Sequence, residues 1–214
     1  MHVGLASALA AGAELTIVVR YGGSPRPIRS LWGDIGSKSC LTACWWPANP
    51  TAPPRGFPAT TIPVLRRIRV STESPYTVIA NGALVSRQAR VAQTVWTYEQ
   101  PEPTSTYLAT LHIGMYEMVQ QANAPVPIRA ALPARLRRNF SHDFGRQPEM
   151  MKLFIDLFGP YPLSSGYTVV VTDDLEIPVE AQGVQSSAPI TATAHGPTSG
   201  WSPTNWPISG LAIR

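Results

Sequence analysis

Charge is scarce in this chain. Only 14% of its 214 residues are Asp, Glu, Lys or Arg, where about a quarter is usual. The net charge is +4, and the densest basic cluster is Arg135-Leu136-Arg137-Arg138. A nucleic-acid binder needs a basic stripe with base-reading or stacking groups, so that class is set aside, and the cluster reads as a solvated loop or helix face. There are 2 cysteines, Cys40 and Cys44. A disulfide or half a metal site is open to them; two free thiols is the plainer reading, because nothing nearby completes a ligand set. The histidines His2, His112, His142 and His195 stand apart, with no pair at i,i+4, and zinc needs three or four ligands at set spacing. No phosphate-cradling glycine loop and no Gly-x-Ser-x-Gly is present. No apolar run reaches the ~18 residues of a membrane-spanning helix. Met1–Ala13 is alanine-rich but has no positive leading region, and Glu14 follows at once, so a signal peptide is not expected and a cytoplasmic protein is.

What is present is ample apolar matter, 44% of the chain, with 22 prolines and 16 glycines. That suffices for a core in one or two domains. Glu14–Tyr21 (ELTIVVRY) is a β-branched run between the turn signals Ala11-Gly12 and Gly22-Gly23 and predicts a strand. Ser24–Ile35 reads as a Pro/Arg/Trp loop. Ser37–Pro63 carries paired tryptophans, a proline-rich run and no period of 2 or 3.6, and is left irregular. From Arg67 order returns. Arg67–Val70, Thr77–Ala80, Val91–Tyr98 and Tyr107–Tyr116 predict strands, Asn81-Gly82 predicts a hairpin turn, and Pro101–Ser105 predicts a further turn. Short strands at this spacing argue for an antiparallel sheet or sandwich. Pro125–Pro133 looks like a domain junction. In Glu149–Phe158 the apolar positions Met150, Met151, Leu153, Phe154, Leu157 and Phe158 have helical spacing, and Gly159-Pro160 ends the helix. Tyr167–Val171 is a buried strand. Asp173-Asp174 beyond it reads as an acidic turn before a cation site. From Val184 the character shifts to Ser, Thr and Pro without a period.

Two stretches carry a family likeness. PEMMKLFIDLFGPYPLSSGYTVVVTDDLEIPVEAQ (Pro148–Gln182) and TSTYLATLHIGMYE (Thr104–Glu117) together resemble the aminopeptidase N family of zinc metallo-aminopeptidases, the gluzincins. The in-frame resemblance covers roughly Val3–Gly36 and Arg67–Gly183. It implies a mainly β fold: an antiparallel β-sandwich N-terminal domain, residues 1–128, then a truncated α+β start of a thermolysin-like catalytic domain, residues 129–184. Residues 185–214 are an irregular tail. In the family a glutamate of a Gly-x-Met-Glu-Asn motif pairs with the free α-amino group of the peptide, an ion-paired hydrogen bond at a fixed distance from the metal. Ile177-Pro178-Val179-Glu180-Ala181 takes that place here, and only Glu180 matches; an exposed strand-end glutamate is the plain alternative. The family's remaining machinery comprises two zinc-binding histidines, a third ligand glutamate, a general-base glutamate and an oxyanion-stabilising tyrosine. No His-Glu-x-x-His occurs before Arg214. The implied cofactor of the parent family is therefore zinc, with none expected on this chain, no catalytic or metal-ligating residue, and peptide N-termini as the parent's partners.

A shifted reading frame accounts for both irregular segments, 37–66 and 185–214. Take the third base of each codon with the first two of the next. Trp201-Ser202 (read with a TCN serine) yields Val, Asn205-Trp206 yields Leu with either Asn codon, and Trp206-Pro207 yields Ala. Readings compatible with Pro197–Arg214 include His-Glu-Leu-Ala-His followed by Gln-Trp-Phe-Gly. The same operation on Lys38–Pro63 permits a Gln followed by Phe-Pro-Cys-x-Asp-x-Pro, similar to the family's N-terminal segment. The expectation is thus a truncated, inactive aminopeptidase. Its rival is an intact non-catalytic β-sandwich module that binds peptides or another protein, although tryptophans such as Trp45, Trp46, Trp201 and Trp206 are foreign to flexible linkers. A third option is a decoy that keeps the amine anchor Glu180 without the metal.

Overall fold

The computed structural model describes residues 67–105, 108–172 and 178–187 continuously, and residues 8, 10–13, 18, 28–30, 33–35, 38–39 and 43–46 besides. Its strands are β1 (Ile28–Ser30), β2 (Gly33–Ile35), β3 (Lys38–Ser39), β4 (Ala43–Trp46), β5 (Arg67–Glu73), β6 (Thr77–Ala80) and β7 (Ala83–Ala89). They continue as β8 (Gln93–Glu99), β9 (Leu111–Gly114), β10 (Tyr116–Ala122), β11 (Ile128–Pro133), β12 (Tyr167–Val171), β13 (Val179–Ala181) and β14 (Val184–Ser187). Two helices, α1 (Arg137–Phe144) and α2 (Gln147–Phe158), lie between β11 and β12. The described part is mostly β, with mainly antiparallel pairing.

Strand alternation stacks these elements in layers. The outer sheet has order β5-β8-β7, the next β3-β4-β9-β6, and the third β10-β11-β12-β14-β13. Ile68, Trp96 and Tyr98 of the first pack on Val78, Ala80 and Leu111 of the second. Successive side chains of a strand point to opposite faces, so Ile79 of β6 meets Tyr116, Ala131, Val170, Ala181 and Val184 of the third. The far face of the third sheet, with Ile128, Ala130, Leu132, Val169 and Val171, is covered by Phe140, Phe144 and Met151 from the helices. β6 and β12 are apolar at nearly every position because both faces of each are covered.

The third sheet is mixed. β11 pairs parallel to β12, and β12 parallel to β14. A parallel pair needs a long crossover, and α1 with α2 supply the one between β11 and β12. In α2, Pro148 sits in the first turn, where its missing N–H costs nothing, and Glu149 complements the helix dipole there. Gly159, with φ 92°, donates its N–H to the Ile155 carbonyl at 2.9 Å and ends the helix as expected. Helix α1 has no counterpart in the sequence reading. Phe140 and Phe144, an i,i+4 pair with ring centroids 5.4 Å apart, are its only buried residues, too few for a visible period.

Several expectations change. Asn81-Gly82 does not close a hairpin: β6 pairs with β9, and β7 with β8, so the turn carries the chain between sheets. Only Gly82 has positive φ there, whereas a type I′ hairpin needs it at both central residues. The Tyr107–Tyr116 strand starts at Leu111 and ends at Gly114, and Met115 separates it from β10 in another sheet. Pro125–Pro133 is no plain connector, since Ile128–Pro133 is a strand paired on both sides. Irregular structure was expected over Ser24–Ile35, over Ser37–Pro63 and from Val184, yet β1 pairs with β2, β3 with β4, and β14 is an inner strand. Backbone pairing decides there without any side-chain alternation to advertise it. Of Glu14–Tyr21 only Val18 is described, so that expected strand lies outside the described residues. The Ala11-Gly12 turn is present, with Gly12 at φ 82°.

Candidate functional site

Glu180 is the middle residue of β13, the edge strand of the third sheet, directly opposite Gln185 of β14. An edge strand keeps one side of its backbone open. The Glu180 residue is exposed, yet partial burial raises its pKa above the ordinary carboxylate range. Gln185 is buried and accepts a hydrogen bond from the Tyr167 hydroxyl. The β13–β14 turn, Gln182-Gly183, is held from two directions. Asn81 donates to the Gln182 carbonyl at 3.0 Å, and Gln182 donates to the Pro103 carbonyl at 3.3 Å.

Asn81 organises this corner. Its amide also donates to the Leu108 carbonyl at 3.0 Å, and its carbonyl accepts from the Thr110 N–H at 2.6 Å. Glu102 ties the same loop to the turn that precedes β12. Its carboxylate accepts from the Ser164 N–H at 2.7 Å and from Gln100 Nε2 at 3.2 Å. Burial opposes its ionisation, but hydrogen bonds from Ser164 and from its own N–H outweigh burial and hold the carboxyl below the ordinary range. Neither residue stood out in the sequence as more than a turn residue, because the partners are 27 to 101 positions away for Asn81 and 62 for Glu102–Ser164.

His112, read as a surface or packed histidine, is packed. It is fully buried between the second and third sheets, with Nε2 3.1 Å from both Thr110 Oγ1 and Ser186 Oγ. Burial pushes its pKa down to about 3. His142 is exposed on α1 beside Asp143. His2, His195, Asp173, Asp174 and Cys40 lie outside the described residues, as does the side chain of Cys44.

Among the described residues no three His, Cys, Asp or Glu side chains converge on a point that would hold a metal. Glu180, His112 and His142 are not brought together, and His112 is committed to two hydroxyls. These residues do not fit a zinc ligand set. What the corner does offer is one exposed carboxylate, Glu180, on a strand that is outermost in its sheet among the described residues, able to accept hydrogen bonds from a cation.

The layered fold defines a class before any sequence likeness does. No family model matches the chain, and no curated protein does. Among solved structures the fold is that of the amino-terminal part of M1 zinc metallopeptidases. One from Deinococcus radiodurans, a mutant bound to a Tyr-Ser-Ala substrate, superposes with TM-score 0.67 at 20% identity, over 81% of this chain and 42% of that one. A two-domain M1 zinc metallopeptidase mutant bound to L-arginine matches with TM-score 0.66 at 21% identity, over 78% and 40%. Aminopeptidase A of Legionella pneumophila, in complex with aspartic acid, matches with TM-score 0.61 at 16% identity, over 71% and 19%. The chain thus spans about two-fifths of the first two and about one-fifth of the third. No helix among the described residues is long and apolar enough to cross a membrane.

Proposed function

We propose that this stretch of chain is the amino-terminal portion of an aminopeptidase N-type protein and has no peptidase activity of its own. One observation carries the reading: about four-fifths of the chain follows the fold of M1 metallopeptidases, while its sequence holds no His-Glu-x-x-His. The first two layers, within residues 1–128, are then the N-terminal β-sandwich. Residues 129–184 open the catalytic domain. Residues 37–66 and 185–214 are read as out of frame. Zinc and hydrolysis of N-terminal peptide bonds belong to the parent protein.

Glu180 is the amine anchor in this reading. Its carboxylate is exposed and so can meet a peptide's terminal ammonium. Its raised pKa means that the charged form, and with it ammonium binding, is favoured as pH rises through that value. The purified 214-residue chain, supplied with zinc and aminoacyl-arylamide substrates, is expected to show no turnover. Zinc-dependent release of arylamine would overturn the reading. Binding of a free-amine peptide, lost on N-acetylation and in Glu180→Ala, would support the anchor and favour a decoy. Fresh nucleotide sequence across codons 36–67 and beyond codon 183 tests the frame change: an open shifted frame through His-Glu-Leu-Ala-His is expected, and its absence would leave the non-catalytic β module as the better account.

A further inference from the structure

Asn81-Gly82 is the only Asn-Gly pair in the chain. The pairing matters chemically, because glycine has no side chain to shield its backbone nitrogen from the asparagine amide carbon. The other asparagines, Asn49, Asn123, Asn139 and Asn205, precede Pro, Ala, Phe and Trp. In the fold this pair is held still. Asn81 is 1% exposed and its amide is tied at both ends: Oδ1 accepts from the Thr110 N–H, and Nδ2 donates to the Leu108 and Gln182 carbonyls. Gly82 is pinned as well. It sits at φ 88°, so close to the end of β8 that a Cβ would stand 2.1 Å from the Glu99 carbonyl oxygen.

We propose that Asn81 is a self-modification site, blocked in the fold and reactive when this corner opens, whose deamidation is a one-way step out of the folded state. The Gly82 nitrogen gives its proton to solvent and attacks Asn81 Cγ. A Cγ–N bond forms, the Cγ–Nδ2 bond breaks, and Nδ2 takes a proton from water and leaves as ammonia. Water then opens the succinimide at either carbonyl, giving aspartate or isoaspartate. The attack makes Cγ tetrahedral and expels Nδ2, so it does not proceed while Thr110, Leu108 and Gln182 hold the planar amide in place. Neither product rebuilds the corner. An ionised aspartate only accepts hydrogen bonds, and it would lie buried against the Leu108 and Gln182 carbonyls with a donor for neither. Isoaspartate adds a carbon to the main chain beside Gly82, where β8 leaves no room. Both products release the β13–β14 turn from Asn81, and Glu180 stands on that hairpin.

Incubating the full chain at mildly alkaline pH, in native buffer and in guanidinium chloride, with peptide mass spectrometry over time, tests both halves of the proposal. In guanidinium chloride Asn81 is expected to deamidate ahead of the other asparagines. In native buffer its conversion should be at least about a hundredfold slower, because it waits for opening. Sub-denaturing guanidinium chloride should raise the native rate in step with unfolding. Converted chain, separated by its added negative charge and returned to native buffer, should melt well below unconverted chain carried through the same treatment. A smaller gap between the native and denatured rates would overturn the block. Converted chain that regains the melting temperature of the unconverted chain would overturn the one-way step.

Discussion

Replacing Asn81 with alanine should be among the most damaging single changes to this chain. Asn81 is 1% exposed and makes three hydrogen bonds, one from the Thr110 N–H and two to the Leu108 and Gln182 carbonyls. Alanine strands all three backbone groups. The Thr110 bond is buried, so losing it carries the full desolvation penalty; the other two are half-buried, so water replaces part of what is lost. Taking about 2 kcal/mol for the first and roughly 0.5–1 for each of the others gives ~3–4 kcal/mol. For a folded region of this size that corresponds to a fall in melting temperature of roughly 10 °C. The assay is thermal unfolding followed by circular dichroism at pH 7. Asn81→Asp is the informative companion. It keeps the acceptor for Thr110 but loses both amide donations and buries a carboxylate, so it should recover part of its deficit as pH falls and the carboxyl protonates. An Asn81→Ala variant melting within about 2 °C of wild type would refute the view that this residue fixes the corner.

Three further outcomes follow from the same geometry. Glu102 has a depressed pKa, so its contribution is present above the ordinary carboxylate range and lost as pH falls through the folded value. The stability gap between wild type and Glu102→Gln in denaturant titrations should be open at pH 7 and close in acid. His112 also has a depressed pKa, about 3, and must stay neutral in the fold. Stability should therefore decline as pH drops from about 6.5, at up to ~1.4 kcal/mol per unit, and His112→Gln should flatten that slope. Gly82 and Gly159 both have positive φ, 88° and 92°, but a Cβ on Gly82 would sit 2.1 Å from the Glu99 carbonyl oxygen whereas one on Gly159 meets nothing within 4 Å. Gly159→Ala should cost about 1–3 kcal/mol, because φ 92° with ψ −176° is backbone essentially reserved for glycine, and Gly82→Ala, which adds the clash, should fail to fold or melt far lower in the same assay.

Legibility in the sequence followed periodicity. Helix α2 was plain because six apolar residues recur at helical spacing and a Gly-Pro ends it. β6 and β12 were plain because their short β-branched runs are buried on both faces. Helix α1 was hidden, since Phe140 and Phe144 alone among its eight residues are buried. β14 was hidden because Gln185, Ser186 and Ser187 are polar yet buried; hydrogen bonds to Tyr167 and His112 compensate two of them, and no local pattern encodes those partners. The candidate site divided in the same way. Glu180 was found through a motif likeness, and its place on the outermost described strand came only from the sheet order. Asn81 was read as a turn former, but its amide does more than shape a turn: it ties the first residues after β6 to a turn 101 positions further on.

The shared middle layer has a bearing on how the chain comes apart. β6 and β9 are covered by the outer sheet on one side and by the helix-backed sheet on the other, and no apolar face of either strand survives removal of a neighbour. Tyr98 reaches across to the Val78 carbonyl at 2.6 Å, and Ser186 to His112 at 3.1 Å. A cut between a sandwich domain and a following catalytic segment would therefore run through a common core and leave raw surface on both halves. The described region should melt as one cooperative unit, and the backbone amides of Val78, Ile79 and His112 should exchange with deuterium only when the whole of it opens.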